Sequence, residues 1–258
     1  MHITYYKCNG NGNSFLIFDK QLLSNRIKID QSFIQNQCLV INKTDGLVVI
    51  DKVHSNEYNM DYYNNDGTWE SLCINAIRCI GLILNKLNHI NSILINTHDA
   101  DYHVLIDNNK LIKISLNKPI YETDLIKIGN HSGYYINSGA KHFVIEYNGA
   151  WPNDNILKEE AQLIRYDSYF PDGVNVNFYK VINRDNVEVK TYEKGIERMM
   201  NSCASGSYAC IYHLYNNNRI NDSITVINDG GNAKIILSKT GDFIIGNAEI
   251  DYEAKLEI

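Results

Sequence analysis

What this chain has little of narrows its function before any motif is read. Proline occurs 3 times and tryptophan twice in 258 residues, against 18 tyrosines. That skew, with abundant Asn and Ile, fits an AT-rich coding bias and carries no chemistry. Basic residues are in deficit, 24 Lys and Arg to 30 Asp and Glu, for a net charge of -6. With no basic cluster, a nucleic-acid partner is excluded from the expectation. No apolar run reaches the ~18–20 residues of a membrane span. The start, Met1-His2-Ile3-Thr4-Tyr5-Tyr6-Lys7, lacks a signal-peptide pattern. The expected location is cytoplasmic, with no membrane partner. Cys-x-x-Cys is missing too, and no His spacing completes a zinc site, so no metal is expected. In a reducing compartment the thiols stay free, and Cys8, Cys38, Cys79 and Cys210 read as small buried hydrophobes.

What the chain does have is a repeat. Cys73 opens Cys73-Ile74-Asn75-Ala76-Ile77-Arg78-Cys79-Ile80, and Cys203 opens Cys203-Ala204-Ser205-Gly206-Ser207-Tyr208-Ala209-Cys210, 130 residues later. Each is a cysteine, then small or polar residues, then an apolar helical run. Other landmarks recur in the same order. Gly12-Asn13-Ser14-Phe15 answers to Ala140-Lys141-His142-Phe143, Asp45-Gly46 to Asp172-Gly173, Tyr63 and Gly67 to Tyr192 and Gly195, and Asn96 to Asn228. The halves are expected at 1–118, completed by a strand at 249–258, and at 119–248.

Alternation predicts strands at 3–7, 15–19, 46–51, 58–64, 92–97, 102–106 and 111–116, then at 143–147, 174–181, 187–192, 223–227, 234–237 and 243–245. Helices are expected at 31–42, 72–86, 154–166 and 204–215. On the second, Ile77, Ile80, Leu84 and Leu87 form one stripe. Each half is thus mostly sheet with one very apolar helix. Such a helix must be enclosed, so each sheet is expected to curl around it.

Both cysteines fall at the start of a predicted helix. There the first backbone N–H groups lack intrahelical partners and the macrodipole is positive. That favours thiolate over thiol, and the same N–H groups hold a carboxylate. Two thiols placed by repeated halves can face each other across a shared cleft. One would take a proton from one face of a carbon and the other return it to the opposite face. Spacing alone leaves catalytic thiols and ordinary helix-start cysteines both open.

The chain resembles the diaminopimelate epimerase family nearly end to end. Gly10-Asn11-Gly12-Asn13-Ser14-Phe15 is similar to the family's Gly-Leu-Gly-Asn-Asp-Phe, and Tyr63-Asn64-Asn65-Asp66-Gly67 to Phe-Asn-Ala-Asp-Gly. The Cys73 string resembles Cys-Gly-Asn-Gly-Ala-Arg-Cys. Phe170-Pro171-Asp172-Gly173-Val174-Asn175-Val176-Asn177-Phe178 is nearly the family string. Tyr192-Glu193-Lys194-Gly195 resembles Tyr-Glu-Arg-Gly, and Cys203-Ala204-Ser205-Gly206 resembles Cys-Gly-Thr-Gly. The resemblance implies a mixed α/β fold of two pseudo-symmetric halves, each a curled, mostly antiparallel sheet around a central helix. It implies an isomerase that inverts an amino-acid Cα with two thiols and no cofactor. Cys73 and Cys203 would be the acid/base pair. Asn13, Asn64 and Asn175 would bind substrate. The backbone N–H groups at Ile74, Asn75, Ala204 and Ser205 would hold the reacting carboxylate. His142 occupies the histidine position of Gly-Asn-Pro-His, and Glu193 and Lys194 would meet the distal end. The partner implied is a small amino-acid substrate; a homodimer is left open.

The departures fall where substrate is read. Ala140 stands for an Asn, Lys194 for an Arg without the bidentate fork, and Ile74 for a Gly beside the first cysteine. The default substrate is LL- or meso-diaminopimelate. A different amino acid such as histidine, racemised by the same thiols, is the alternative. A binding homologue without catalysis is a second alternative, and a related isomerase with a carboxylate base a further one.

Overall fold

The computed structural model describes residues 2–23 and 27–257. Contacts divide the chain into two units, Met1–Ser115 with Ile245–Ile258, and Leu116–Ile244. The first begins with β1 (His2–Gly10), β2 (Asn13–Asp19), α1 (Gln31–Gln35), β3 (Gly46–His54), β4 (Glu57–Asn64) and β5 (Trp69–Glu70). It continues with α2 (Ile74–Asn88), β6 (Ser92–Asn96), β7 (Asp101–Ile106) and β8 (Ile112–Leu116). The second begins with β9 (Ile120–Tyr121), β10 (Ile126–Ile128), β11 (His131–Asn137), β12 (Lys141–Glu146) and α3 (Asp154–Arg165). It continues with β13 (Asn175–Asn183), β14 (Asn186–Glu193), β15 (Arg198–Met200), α4 (Ala204–Asn216), β16 (Ser223–Asn228), β17 (Gly231–Ile236) and β18 (Asp242–Gly246). The last strand, β19 (Glu249–Glu257), pairs antiparallel with β1.

Each unit is a curled, mostly antiparallel sheet around a central helix, and the two follow one plan. In the first, β1·β2, β3·β4 and β6·β7 are antiparallel, while β2·β3 and β4·β6 are parallel. In the second, β11·β12, β13·β14 and β16·β17 are antiparallel, while β12·β13 and β14·β16 are parallel. A parallel pair needs a crossover. Accordingly α1 joins β2 to β3 and α3 joins β12 to β13, while α2 and α4 carry the second crossover of each unit. Two matched turns fix the plan locally. Gly67, shortly after β4, and Gly195, shortly after β14, hold φ of 87° and 85°, a left-handed conformation suited to glycine.

The central helices are buried on almost every face. In α2 every residue from Ile74 to Gly81 is buried, and in α4 every residue from Ala204 to Ile211. Leu87 departs from the expected stripe: it is exposed, because the end of α2 emerges from the sheet. The sheet of the second unit is covered on its other face by α3, whose Leu157, Ala161 and Ile164 pack with Phe143, Val176, Phe178 and Tyr192. Strand β13 is therefore buried on both faces. Side chains alternate along a strand, so Val176 and Phe178 meet α3 while Asn177 between them meets α4.

Three expectations shift. The helix at 31–42 is α only to Gln35 and widens into a π-helix, Asn36–Ile41, whose exit is pinned where Asn42 Nδ2 donates to Gln37 O and Tyr5 Oη–H donates to Asn42 Oδ1. Strand β11 was not expected. Its Gly133 interrupts the alternation, and a Cβ there would lie 2.4 Å from the Val144 carbonyl oxygen of β12. The match of Gly46 to Gly173 also moves. Leu47 pairs with Tyr63 and Val176 with Tyr192, so register through the matched tyrosines aligns Gly46 with Asn175.

Phe178→Ala removes a fully buried ring from the second core and should cost about 3–5 kcal/mol, read as a lower urea midpoint.

Candidate active site

Both central helices begin one residue after the cysteine, which serves as N-cap. Cys73 has φ -141° and ψ 103°, and Cys203 has φ -135° and ψ 108°, so the two backbones match within a few degrees. Ile77 N donates to Cys73 O at 3.0 Å and Ser207 N to Cys203 O at 2.9 Å, which starts each helix. The surroundings of the two sulfurs then diverge.

In the first unit Cys73 is half-buried and Ile74 buried. Asn75 Nδ2 donates to Asn13 Oδ1 at 2.8 Å, and Asn13 Nδ2 donates to Asp45 Oδ2 at 3.3 Å. Asn13 thus lies beside the first turn of α2. Asn64, the last residue of β4, is held by Tyr62, whose hydroxyl donates to Oδ1 at 3.0 Å, and by Thr68 Oγ1, which accepts from Nδ2 at 3.1 Å. Arg78, the fifth residue of α2, is 0 % exposed; Nη1 donates to Asn247 O at 3.4 Å, while Nε and Nη2 have no hydrogen-bond partner. Burial pulls this guanidinium down to about 10, against the opposing influence of Cys79 and Cys73. It remains a cation at neutral pH.

In the second unit the expected residues are brought together more fully. Cys203 is 8 % exposed, with Sγ 3.5 Å from Ser205 Oγ. His142 Nε2 lies 3.0 Å from the same hydroxyl, and its Nδ1 lies 2.9 Å from Asn177 Nδ2. Asn175 Oδ1 accepts from Lys194 N at 2.9 Å and its Nδ2 donates to Lys141 O at 3.0 Å, so Asn175 ties the start of β13 to the residue after β14. Glu193, the last residue of β14, is half-buried and acts on Cys203. Ala204 is buried behind the cysteine.

The expectation that a helix start lowers the thiol pKa fails at Cys203. Burial, and after it the Glu193 carboxylate, push this thiol up to about 12, while the Ser205 hydroxyl and the Gly206 N–H pull the other way. Desolvation of a thiolate outweighs the helix terminus here. Cys203 is therefore a thiol at neutral pH. His142, enclosed completely, is held down to about 3 by burial and is neutral.

Sequence reasoning missed Asn177, Gly206, Arg78 and Asp45. A Cβ on Gly206 would sit 2.0 Å from Asn177 Oδ1 and 3.1 Å from His142 Nδ1, so only glycine lets α4 lie against this pair. The available signal was chemical incongruity: an amide between Val176 and Phe178 in a central strand, and a guanidinium inside an apolar helix. Among the described residues no cluster of three or more His, Cys, Asp or Glu is placed to hold a metal ion. No described helix is long and apolar enough to cross a membrane.

No family model matches the chain. It is 27 % identical to the diaminopimelate epimerase of Flavobacterium psychrophilum, over 97 % of this chain and 99 % of that one. It is 28 % identical to the diaminopimelate epimerase of Methanocella arvoryzae, over 99 % and 97 %. Among solved structures, a hydroxyproline epimerase from Agrobacterium vitis superposes with a TM-score of 0.78 at 11 % identity, covering 99 % of this chain and 92 % of that one. A PhzF-family phenazine biosynthesis protein of Enterococcus faecalis gives 0.72 at 12 %, with full coverage of both. The structural likenesses carry the fold. Together, the fold and the curated relatives define an isomerase of the epimerase and racemase class. Within that class, the curated relatives it matches over nearly its whole length are diaminopimelate epimerases.

Glu193→Gln removes the carboxylate that adds to burial in holding Cys203 as a thiol, so more thiolate forms at a given pH. Alkylation of Cys203 at pH 8, followed by peptide mass spectrometry, should rise about tenfold for each unit by which the thiol pKa falls; an unchanged rate would remove Glu193 from this role.

Proposed function

We propose that the chain inverts the Cα of an amino acid by two-base chemistry at Cys73 and Cys203, without pyridoxal phosphate or another organic cofactor. The observation that carries the reading is the repeated N-cap cysteine, one at the start of the enclosed helix of each unit in nearly identical backbone geometry. A thiolate takes the α-proton and a thiol returns a proton to the opposite face. The carbanion carries its charge into the α-carboxylate. Backbone N–H groups of Ile74, Asn75, Ala204 and Ser205 at the helix starts are donors suited to that carboxylate, and their hold strengthens as charge builds.

The roles at rest follow from how the repeat is broken. Glu193 ends β14 where Asn64 ends β4, and Arg78 is the fifth residue of α2 where Tyr208 is the fifth of α4. A carboxylate thus accompanies Cys203 and a buried cation accompanies Cys73. Opposite charges favour opposite protonation states. Cys203 is then the proton donor of the resting enzyme.

The substrate read from the relatives is LL- or meso-diaminopimelate. Lys194, half-buried beside Asn175, is a cation suited to a distal carboxylate. Ala140 supplies no amide there, which keeps a second reading: an amino acid with one head group, such as histidine, inverted by the same thiols.

In deuterated solvent without added pyridoxal phosphate, the correct L-amino acid should exchange its α-proton and lose optical purity. Cys73→Ser and Cys203→Ser should each lower exchange with inversion by about 10²–10⁴-fold, the usual weight of a general acid or base. Full turnover in either variant excludes the two-thiol mechanism.

A further inference from the structure

The hydrogen bonds behind Cys203 form a chain whose direction is set at its far end. Thr191 Oγ1 donates to Asn177 Oδ1 at 2.8 Å. The other side of that amide, Nδ2, donates to the Asn175 carbonyl oxygen at 3.3 Å. A carbonyl only accepts, so the atom facing it is the amide nitrogen and the orientation of Asn177 is fixed. The same nitrogen faces His142 Nδ1 at 2.9 Å, which must then accept. In a neutral imidazole the proton is left on Nε2, 3.0 Å from Ser205 Oγ. With Ser205 Oγ accepting from the ring, its own hydrogen is free to point to Cys203 Sγ at 3.5 Å.

We propose that His142 is a positioning residue for Cys203: locked by Asn177 as the Nε2–H tautomer, it fills the accepting side of the Ser205 hydroxyl and turns that O–H toward the sulfur. This rests on Cys203 being one of the two acid/base groups. The hydroxyl then donates to the sulfur whenever Cys203 has given up its proton, and a donor to a thiolate is a strong hydrogen bond. Glu193 faces the same sulfur from β14 and favours the thiol. Ser205 and the Gly206 N–H face it from the first turn of α4, and Cys210 interacts with it from further along that helix. The ring of His142 is faced by Asn177 from β13 and Ser205 from α4. Cys203 therefore has a partner suited to each protonation state, and the two are supplied from different elements.

The arrangement explains two features that packing leaves unexplained. Asn177 is a fully buried amide in a strand otherwise apolar at that depth, and Gly206 is the residue whose missing side chain lets α4 rest on it. His142 makes no bond to Cys203 itself among the contacts of its ring; it acts through Ser205.

The test uses the intact protein with 15N-labelled histidine, together with iodoacetamide alkylation resolved by peptide mass spectrometry. Long-range nitrogen correlations should report His142 as Nε2–H, with Nδ1 unprotonated, from pH 8 down to about 5. Ser205→Ala should slow Cys203 alkylation at fixed pH about tenfold. Ser205→Thr, which keeps the hydroxyl, should restore it, and the Cys73 rate should be the same in both variants. An Nδ1–H ring overturns the proposal, and so does unchanged Cys203 alkylation in Ser205→Ala. The tautomer is read on the unsubstituted protein, so it decides the matter even where Ser205→Ala does not fold. Neither readout uses a substrate, so the relay can fail while α-proton exchange stands, and exchange can fail while the relay stands.

Discussion

Enclosure of one apolar helix by each sheet is the constraint from which the rest descends. Helices α2 and α4 carry side chains that water disfavours on nearly every face, and their first turns are as buried as their middles. A helix start usually stabilises negative charge, but at Cys203 the same enclosure removes the water that would solvate it. Burial wins, and the sulfur is a thiol. The helix terminus thus supplies geometry and donors, while the protonation state is left to a few neighbouring side chains.

Those neighbours are where the two units differ. The strand pairing is repeated step for step, including both parallel crossovers. Against that repeated backbone, the side chains beside the two cysteines differ. They differ at the ends of β4 and β14, Asn64 against Glu193, and in the second turn of the helix, Arg78 against Tyr208. They differ again beside the helix start, where Asn75, Asn13 and Asp45 are linked in the first unit and Ser205, His142 and Asn177 in the second. Arg78 is the costliest of these, a buried cation with two unpartnered donor nitrogens.

Long strands with clean alternation, the two apolar helices and the paired cysteines were all legible in the sequence, because each is a property of neighbouring residues. The short strands β5, β9, β10 and β15 were not, since two or three residues carry no period. β11 was hidden by the glycine its close approach to β12 demands. Leu87 fitted its stripe and is nevertheless exposed, because periodicity tells which face a residue occupies and not where the sheet ends. Of the candidate site, the cysteines and the residues following them were readable. Asn177 was not: its meaning depends on a histidine 35 residues earlier and a serine on another element.

By itself the sequence determined two enclosed helices, each led by a cysteine, because hydrophobic period and repeat are local and additive. Tertiary structure decided that the Cys203 sulfur keeps its proton and which groups stand around it. Those outcomes depend on desolvation and on hydrogen-bond partners, and both are set by groups such as His142, Asn177 and Ser205 that are distant in the chain and that only folding brings within about 3 Å of one another.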